Sequence, residues 1–111
     1  MAGPTEVANL GASATQVLVN PKSSAPNVKN IGGPSTLAYF KGAYFEAGAG
    51  GEGTLKIQTQ VNGTWTTKTE YALAANADDS VYVPGTLGIR LKDGLRVLTN
   101  ANIANAQIFY T

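Results

Sequence analysis

The sequence predicts an all-β fold: an antiparallel β-sandwich, jelly-roll-like or immunoglobulin-like, with an extended N-terminal arm. From residue 35 onward, short runs rich in Thr, Val, Ile, Tyr and Phe follow one another, as half-buried strands prefer. Turn residues separate these runs at the spacing typical of sandwiches. Residues 1–34 differ, because they hold four of the five prolines. We therefore predict an N-terminal strand or arm over residues 1–34 and a sandwich domain over residues 35–111.

The N-terminal segment contains one run with strand character, residues 14–19, which read Ala-Thr-Gln-Val-Leu-Val. Residues 20–27 contain Pro21 and Pro26 and are typical of a loop. Two interpretations stay open. The run is a first strand followed by a surface loop, or the segment is an arm that becomes ordered against a neighbouring subunit.

The sandwich domain contains eight candidate strands. The glycine-rich residues 48–53 connect two of them and are not a phosphate loop, because a strand follows them rather than Lys-Ser/Thr and a helix. Residues 72–79 are predicted to form a turn. The candidate strands are residues 36–40, 43–47, 54–60, 65–72, 80–83, 87–91, 95–99 and 106–110.

Asn62-Gly63 and Asp93-Gly94 are hairpin signals. A two-residue turn at Asn62-Gly63 would place the apolar faces of its two strands on opposite sides of the sheet. We therefore predict a three-residue loop of residues 61–63 with a bulge at Gly63, which moves Trp65 to the apolar face beside Ile57. The same parity argument predicts a second three-residue loop over residues 92–94.

These registers place Lys56 opposite Lys68 and Arg90 opposite Arg96 on the outer face, where like charges are mildly unfavourable. A loop of residues 62–64 would instead pair Lys56 with Glu70. The paired bases are either solvated or face an acidic neighbour, and we keep the second possibility as a hypothesis.

The residue inventory disfavours an enzyme. The chain has no histidine and no cysteine, which removes the commonest general base and all thiolate ligands. A Ser–Lys pair at Lys22 and Ser23 lies in a proline-flanked loop where burial would not activate the lysine. Residues 76–80 carry oxygen ligands but lack the spacing of a calcium loop. We predict no catalytic, cofactor-binding or metal-binding residues, and no cofactor.

Binding to nucleic acid or to membranes is also disfavoured. The eight basic residues are scattered and the net charge is only +1. No apolar run approaches the ~18 residues of a membrane helix. The first 21 residues contain no Lys or Arg, so we expect a soluble protein without a signal peptide. Tyr39, Trp65, Tyr71 and Tyr82 could form a sugar-stacking platform, although such residues more often belong to a core or an interface.

Two segments carry a family resemblance. Residues 53–58 read Gly-Thr-Leu-Lys-Ile-Gln, an Asn-Gly turn follows at residues 62–63, and Trp65 opens the next strand. Residues 81–85 read Val-Tyr-Val-Pro-Gly, and an aliphatic-Arg pair follows at Ile89 and Arg90. This order resembles small β-sandwich virion structural proteins of tailed bacteriophages, over roughly residues 37–111. Residues 86–88 depart from the pattern, because the phage proteins place the Arg closer to the Pro-Gly.

The resemblance implies a capsid decoration or cement protein, made in the host cytoplasm and located on the capsid surface of the virion. Such a protein binds the major capsid protein, stabilises capsomer contacts and is usually a homo-oligomer. The alternative is a phage tail, fibre or surface adhesion module that binds carbohydrate or a receptor. We predict structural roles for Asn62, Gly63, Trp65, Asp93 and Gly94, and partner binding by Val17, Val19, Pro21, Lys22, Pro26, Lys29, Lys56 and Arg90.

Overall fold

The computed structural model describes residues 5–19, 38–82, 88–91 and 93–111. The prediction of an all-β fold is confirmed for this part of the chain, which contains strands and no helix, and hence no helix able to span a membrane. Nine strands are described: β1 (Glu6–Leu10), β2 (Thr15–Val19), β3 (Ala38–Ala47), β4 (Gly53–Val61), β5 (Thr64–Leu73), β6 (Asp78–Tyr82), β7 (Ile89–Leu91), β8 (Leu95–Thr99) and β9 (Ile103–Tyr110).

The strands form two antiparallel sheets that pack face to face, so the predicted β-sandwich is confirmed. The first sheet has the order β1-β9-β3, with β6 and β7 end to end along the other edge of β3. The second sheet has the order β2-β8-β4-β5. Strand β3 merges two predicted strands, and the register shifts around Gly42 and near Ala47 bend it around the core.

The core lies between the sheets because alternate residues of each strand point inward. In β8, Leu95, Val97 and Thr99 are buried, whereas Arg96 and Leu98 between them are less so. Tyr71 of β5 crosses the gap, with its ring centroid 6.4 Å from that of Phe40 and 6.0 Å from that of Phe45. Burial of each large apolar side chain contributes about 1.5–3 kcal/mol. The largest fully buried side chains are Phe40, Phe45, Leu55, Ile57, Leu91, Leu95, Val97, Ile103 and Ile108.

The N-terminal residues correct the predicted arm. Strand β1, which the sequence analysis missed, pairs with β9, and β2 pairs with β8. Each is an edge strand of one sheet, and Leu10 is buried in the core. The run predicted over residues 14–19 is thus a strand of the sandwich, although it is the second strand and not the first. The remainder of the predicted arm lies outside the described residues.

The link between β1 and β2 is held at one end of the sandwich by Thr99. The Thr99 hydroxyl donates to the carbonyl of Gly11 over 2.6 Å and accepts from the amide of Ala14 over 2.9 Å. Asn100 next to it accepts from the amides of Thr54 and Asn102, both at 3.1 Å. Two neutral polar side chains thereby satisfy backbone groups of the β1–β2 link, of β4 and of the β8–β9 link.

The loop predicted at residues 61–63 is wrong. Val61 pairs with Thr64, so Asn62 and Gly63 form a two-residue turn, with φ of 52° and 82°. Two positive φ values are typical of the type I′ turn that matches the twist of a hairpin. The turn that the parity argument rejected is therefore the one that forms.

A bulge inside the hairpin restores the parity that the tight turn disturbs. Gln58 pairs with Thr67 and Ile57 pairs with Thr69, so Lys68 is an extra residue in β5. One extra residue reverses the facing of everything beyond it. The predicted register failed because it assumed an uninterrupted ladder. Lys56 consequently lies opposite Glu70, not opposite Lys68.

The hairpin predicted at residues 92–94 is also wrong. Strand β7 pairs with β3 in the first sheet, whereas β8 pairs with β2 and β4 in the second. Asp93 and Gly94 therefore lie in a link that crosses between the sheets, and Arg90 faces Tyr39 rather than Arg96. Leu91 and Leu95 are both fully buried, because they enter the core from opposite sides.

Candidate binding face

The outward face of the second sheet carries a connected group of four side chains: Gln58, Trp65, Thr67 and Arg96, here called the Trp65 array. Arg96 Nε donates to Gln58 Oε1 over 2.8 Å, and Gln58 Nε2 donates to Thr67 Oγ1 over 3.1 Å. The guanidinium carbon of Arg96 lies 5.1 Å from the centroid of the Trp65 ring. Each side chain in the array thus contacts another member.

Strand register explains why these residues meet. Gln58 of β4 lies opposite both Thr67 of β5 and Arg96 of β8, on the side that faces away from the core. Trp65, opposite Gln60, is two residues from Thr67 and shares its side of the sheet. The Lys68 bulge allows this arrangement, because before the bulge the odd-numbered residues of β5 face outward and after it they face inward.

The array is rigid for a surface group. Gln58 is only 7% exposed although it lies on the outer side of its sheet, and both ends of its amide are hydrogen-bonded. The cation–π contact between Arg96 and Trp65 contributes about 0.5–1 kcal/mol at such a site. A partner would therefore meet side chains that are already ordered.

The predicted position of Trp65 is wrong. The sequence analysis placed it on the apolar face beside Ile57 and Thr59, but the tight turn puts it on the outer face, half-buried. Asn62 and Gly63 form the turn, and Asp93 and Gly94 form the link between sheets.

The described members of the predicted partner-binding set do not form one surface. Val17 pairs with Arg96 and is 37% exposed, so it lies beside the Trp65 array. Lys56 is on the same outward face, opposite Leu98 and Glu70. Val19 packs against the core, and Arg90 belongs to the first sheet. Pro21, Lys22, Pro26 and Lys29 lie outside the described residues and stay predictions.

The aromatic platform considered in the sequence analysis does not assemble from its described side chains. Trp65 is on the outer face of the second sheet, Tyr71 is between the sheets, and Tyr39 is on the outer face of the first sheet. The sheets place these rings in three separate environments.

The outer face of the first sheet carries a tyrosine with a raised pKa. Hydrogen bonding to Glu46, partial desolvation and the charges of Glu46 and Asp78 raise the pKa of Tyr44 to about 12. Its hydroxyl lies 3.3 Å from Asp78 Oδ2, to which it donates. The raised pKa therefore keeps Tyr44 in its protonated, donating form to a higher pH than an ordinary tyrosine. Within the described residues, no group of three acidic, Cys or His side chains could hold a metal ion.

Sequence reasoning missed Gln58, Thr67 and Arg96. The available signal was the tight-turn register, which pairs Gln60 with Trp65 and therefore places Trp65 with the outward-facing glutamines of β4. The rejection of that turn hid the part of the array that lies on β4 and β5, and the unforeseen pairing of β8 with β4 hid Arg96.

Comparison with known proteins adds little. No protein-family model matches the chain, and no curated protein is similar to it. Among solved structures, the chain is similar to the crystal structure of PirA, with a TM-score of 0.49 and 12% identity over 100% of this chain and 96% of that chain. A similarity at this level carries no conclusion about function.

Proposed function

We propose that the chain is a virion structural protein of the capsid decoration type. In this role it binds the major capsid protein at the outer shell, stabilises capsomer contacts and acts as a homo-oligomer. The outward face of the second sheet is the binding surface, with the Trp65 array at its centre and Val17 at its border.

The observation that carries this proposal is the ordered pairing of Trp65 with Arg96 on an outward sheet face. Trp and Arg are the residue types that most often dominate the energetics of protein–protein interfaces. Their side chains are already fixed through Gln58, which lowers the entropy cost of binding. Only 14% of the residues are charged, which suits a surface that a protein partner covers.

The family resemblance supplies the virion context. Its hairpin part requires an Asn-Gly turn followed by a Trp at the start of the next strand, and β4, the turn and β5 have this arrangement. Residues 83–87, half of the second part of the pattern, lie outside the described ranges.

A second candidate is an adhesion module that binds carbohydrate, and the outward position of Trp65 favours it. Sugar rings stack on an open aromatic face, however, and Arg96 lies over the Trp65 ring. Arg96 thus occupies one face of the ring and leaves less of it for a sugar, so a protein partner that pairs with Arg96 as well as Trp65 is the better occupant.

Two measurements test the proposal. Quantitative mass spectrometry of purified particles should find the chain in many copies per shell, and its absence from particles would refute the virion role. In a shell-binding assay, Trp65→Ala should weaken binding about 30-fold or more, the size of an interface hot spot. The control Val7→Ala, at a 53% exposed position on the first sheet, should bind normally. Equal loss in both variants would refute the assignment of the binding face, and glycan binding that depends on Trp65 would favour the adhesion module.

A further inference from the structure

A cleft of about 330 Å³ opens at the end of the sandwich where the hairpin of β4 and β5 turns. Its walls are residues 59–62 of that hairpin, together with Lys68, Arg90 and Asp93. The volume is at the lower end of the range of ligand sites. The cleft is separate from the Trp65 array, with which it shares no residue.

Both cations reach the cleft through features that the hairpin prediction did not contain. Lys68 is the extra residue of the β5 bulge, and bulges commonly redirect a side chain away from its ladder. Arg90 comes from β7 in the opposite sheet. The sequence analysis placed Lys68 opposite Lys56 and Arg90 opposite Arg96. The fold instead brings the exposed side chains of Lys68 and Arg90 to the same cleft.

Asp93 is held in place by hydrogen bonds, and its carboxylate lowers the net positive charge of the cleft. Its amide donates to Thr59 Oγ1 over 3.2 Å, and its carbonyl accepts from the amide of Gln60 over 3.3 Å. These backbone bonds tie the link between the sheets to β4. The Asp93 carboxylate leaves a net charge of +1 among the side chains that line the cleft.

We infer that this cleft binds a peptide segment that carries a single carboxylate. The carboxylate pairs with Lys68 and Arg90, the latter as a planar donor suited to two oxygens. The side-chain amides of Gln60 and Asn62 contact the peptide backbone, and the Asp93 carboxylate accepts from one of the peptide N–H groups. The Asp93 carboxylate needs an N–H donor in the ligand, which a peptide supplies and inorganic phosphate lacks. The inference does not depend on the virion role.

The test is ¹⁵N NMR titration of the full chain with three probes: acetyl-Gly-Glu-Gly-amide, acetyl-Gly-Gln-Gly-amide and inorganic phosphate. The glutamate peptide should shift the amide signals of Gln60, Asn62 and Lys68, and the other two probes should not. No shift at about 20 mM glutamate peptide would overturn the inference, because the dissociation constant would then exceed about 20 mM, which is too weak for a functional site. Equal shifts with phosphate would overturn the peptide assignment.

Matched variants locate the site. Lys68→Gln and Arg90→Gln should each weaken binding about fivefold, the size expected for an exposed ion pair. Lys41→Gln removes the same charge on the first sheet, outside the cleft, and should leave binding unchanged. Asp93→Asn preserves the two bonds made by the Asp93 backbone but removes the negative charge, so phosphate should then bind as well. Unchanged affinity in both Lys68→Gln and Arg90→Gln would refute the assignment.

Discussion

Replacing Thr99 by Val should destabilise the protein far more than the small change in shape suggests. The Thr99 side chain is 8% exposed, and its hydroxyl both donates to Gly11 O and accepts from Ala14 N. Valine fills the same space but leaves one backbone acceptor and one backbone donor without partners. A buried group without a partner costs about 1–3 kcal/mol. Both bonds are partly buried, so we expect a combined loss of about 2–4 kcal/mol.

This loss is measurable by urea unfolding and by thermal melting. For a domain of this size, 1 kcal/mol corresponds to about 4 °C, so the melting temperature should fall by about 8–16 °C. The control Thr99→Ser keeps the hydroxyl and should lose only about 1 kcal/mol for the methyl group. Hydrogen exchange at the Ala14 amide should accelerate in Thr99→Val alone. A Thr99→Val protein within about 0.5 kcal/mol of the parent would refute the reasoning, because it would mean that the hydroxyl does not anchor the β1–β2 link.

Three further predictions concern other parts of the sandwich. Gly88→Ala should cost more than about 3 kcal/mol in urea unfolding, because Gly88 has a φ of 84° and a Cβ there would overlap the carbonyl oxygen of Phe40. The control Gly11→Ala meets nothing within 4 Å and should stay within about 0.5 kcal/mol. Deletion of Lys68 should preserve the fold within about 1 kcal/mol, because the pairs on either side of the bulge then become continuous; a collapse of the near-ultraviolet circular dichroism would contradict this register. Tyr44 should ionise near pH 12, about two units above its ordinary 10.0, so stability should fall as the pH rises from 10 to 12, where the unfolded chain releases this proton and the folded chain retains it. Ultraviolet difference titration against Tyr44→Phe checks this, and ionisation near pH 10 would contradict it.

The strands were predictable because their signals are local. Runs of β-branched and aromatic residues, bounded by glycine and proline, identified most of the sandwich, and β8 was predicted over Leu95–Thr99, as the structure has it. Strand β1 was missed because only Ala8 and Leu10 point into the core, which gives it a weak apolar pattern.

The pairing of strands was not predictable because it depends on distant residues. Lys92-Asp93-Gly94 has the signature of a hairpin, yet β7 finds a better partner in β3. The residues near position 92 do not indicate that β7 pairs with β3 and not with β8. The bulge at Lys68 is similar, since the strict alternation of Trp65, Thr67, Thr69 and Tyr71 gives no sign that one residue between them is left out of the ladder. Arg96 joins the candidate binding face through the pairing of β8 with β4, so it was out of reach in the same way, whereas Trp65 and Thr67 required only the tight turn.

The Lys68 bulge also bears on how the protein avoids aggregation. Strand β5 is a ten-residue edge strand of the second sheet among the described strands, and a long regular edge can pair with the same edge of another molecule. A bulge that carries a lysine interrupts that edge in the middle and adds a charge that another copy would have to bury. A chain that lacks Lys68 should therefore fold normally and still self-associate more readily at high concentration.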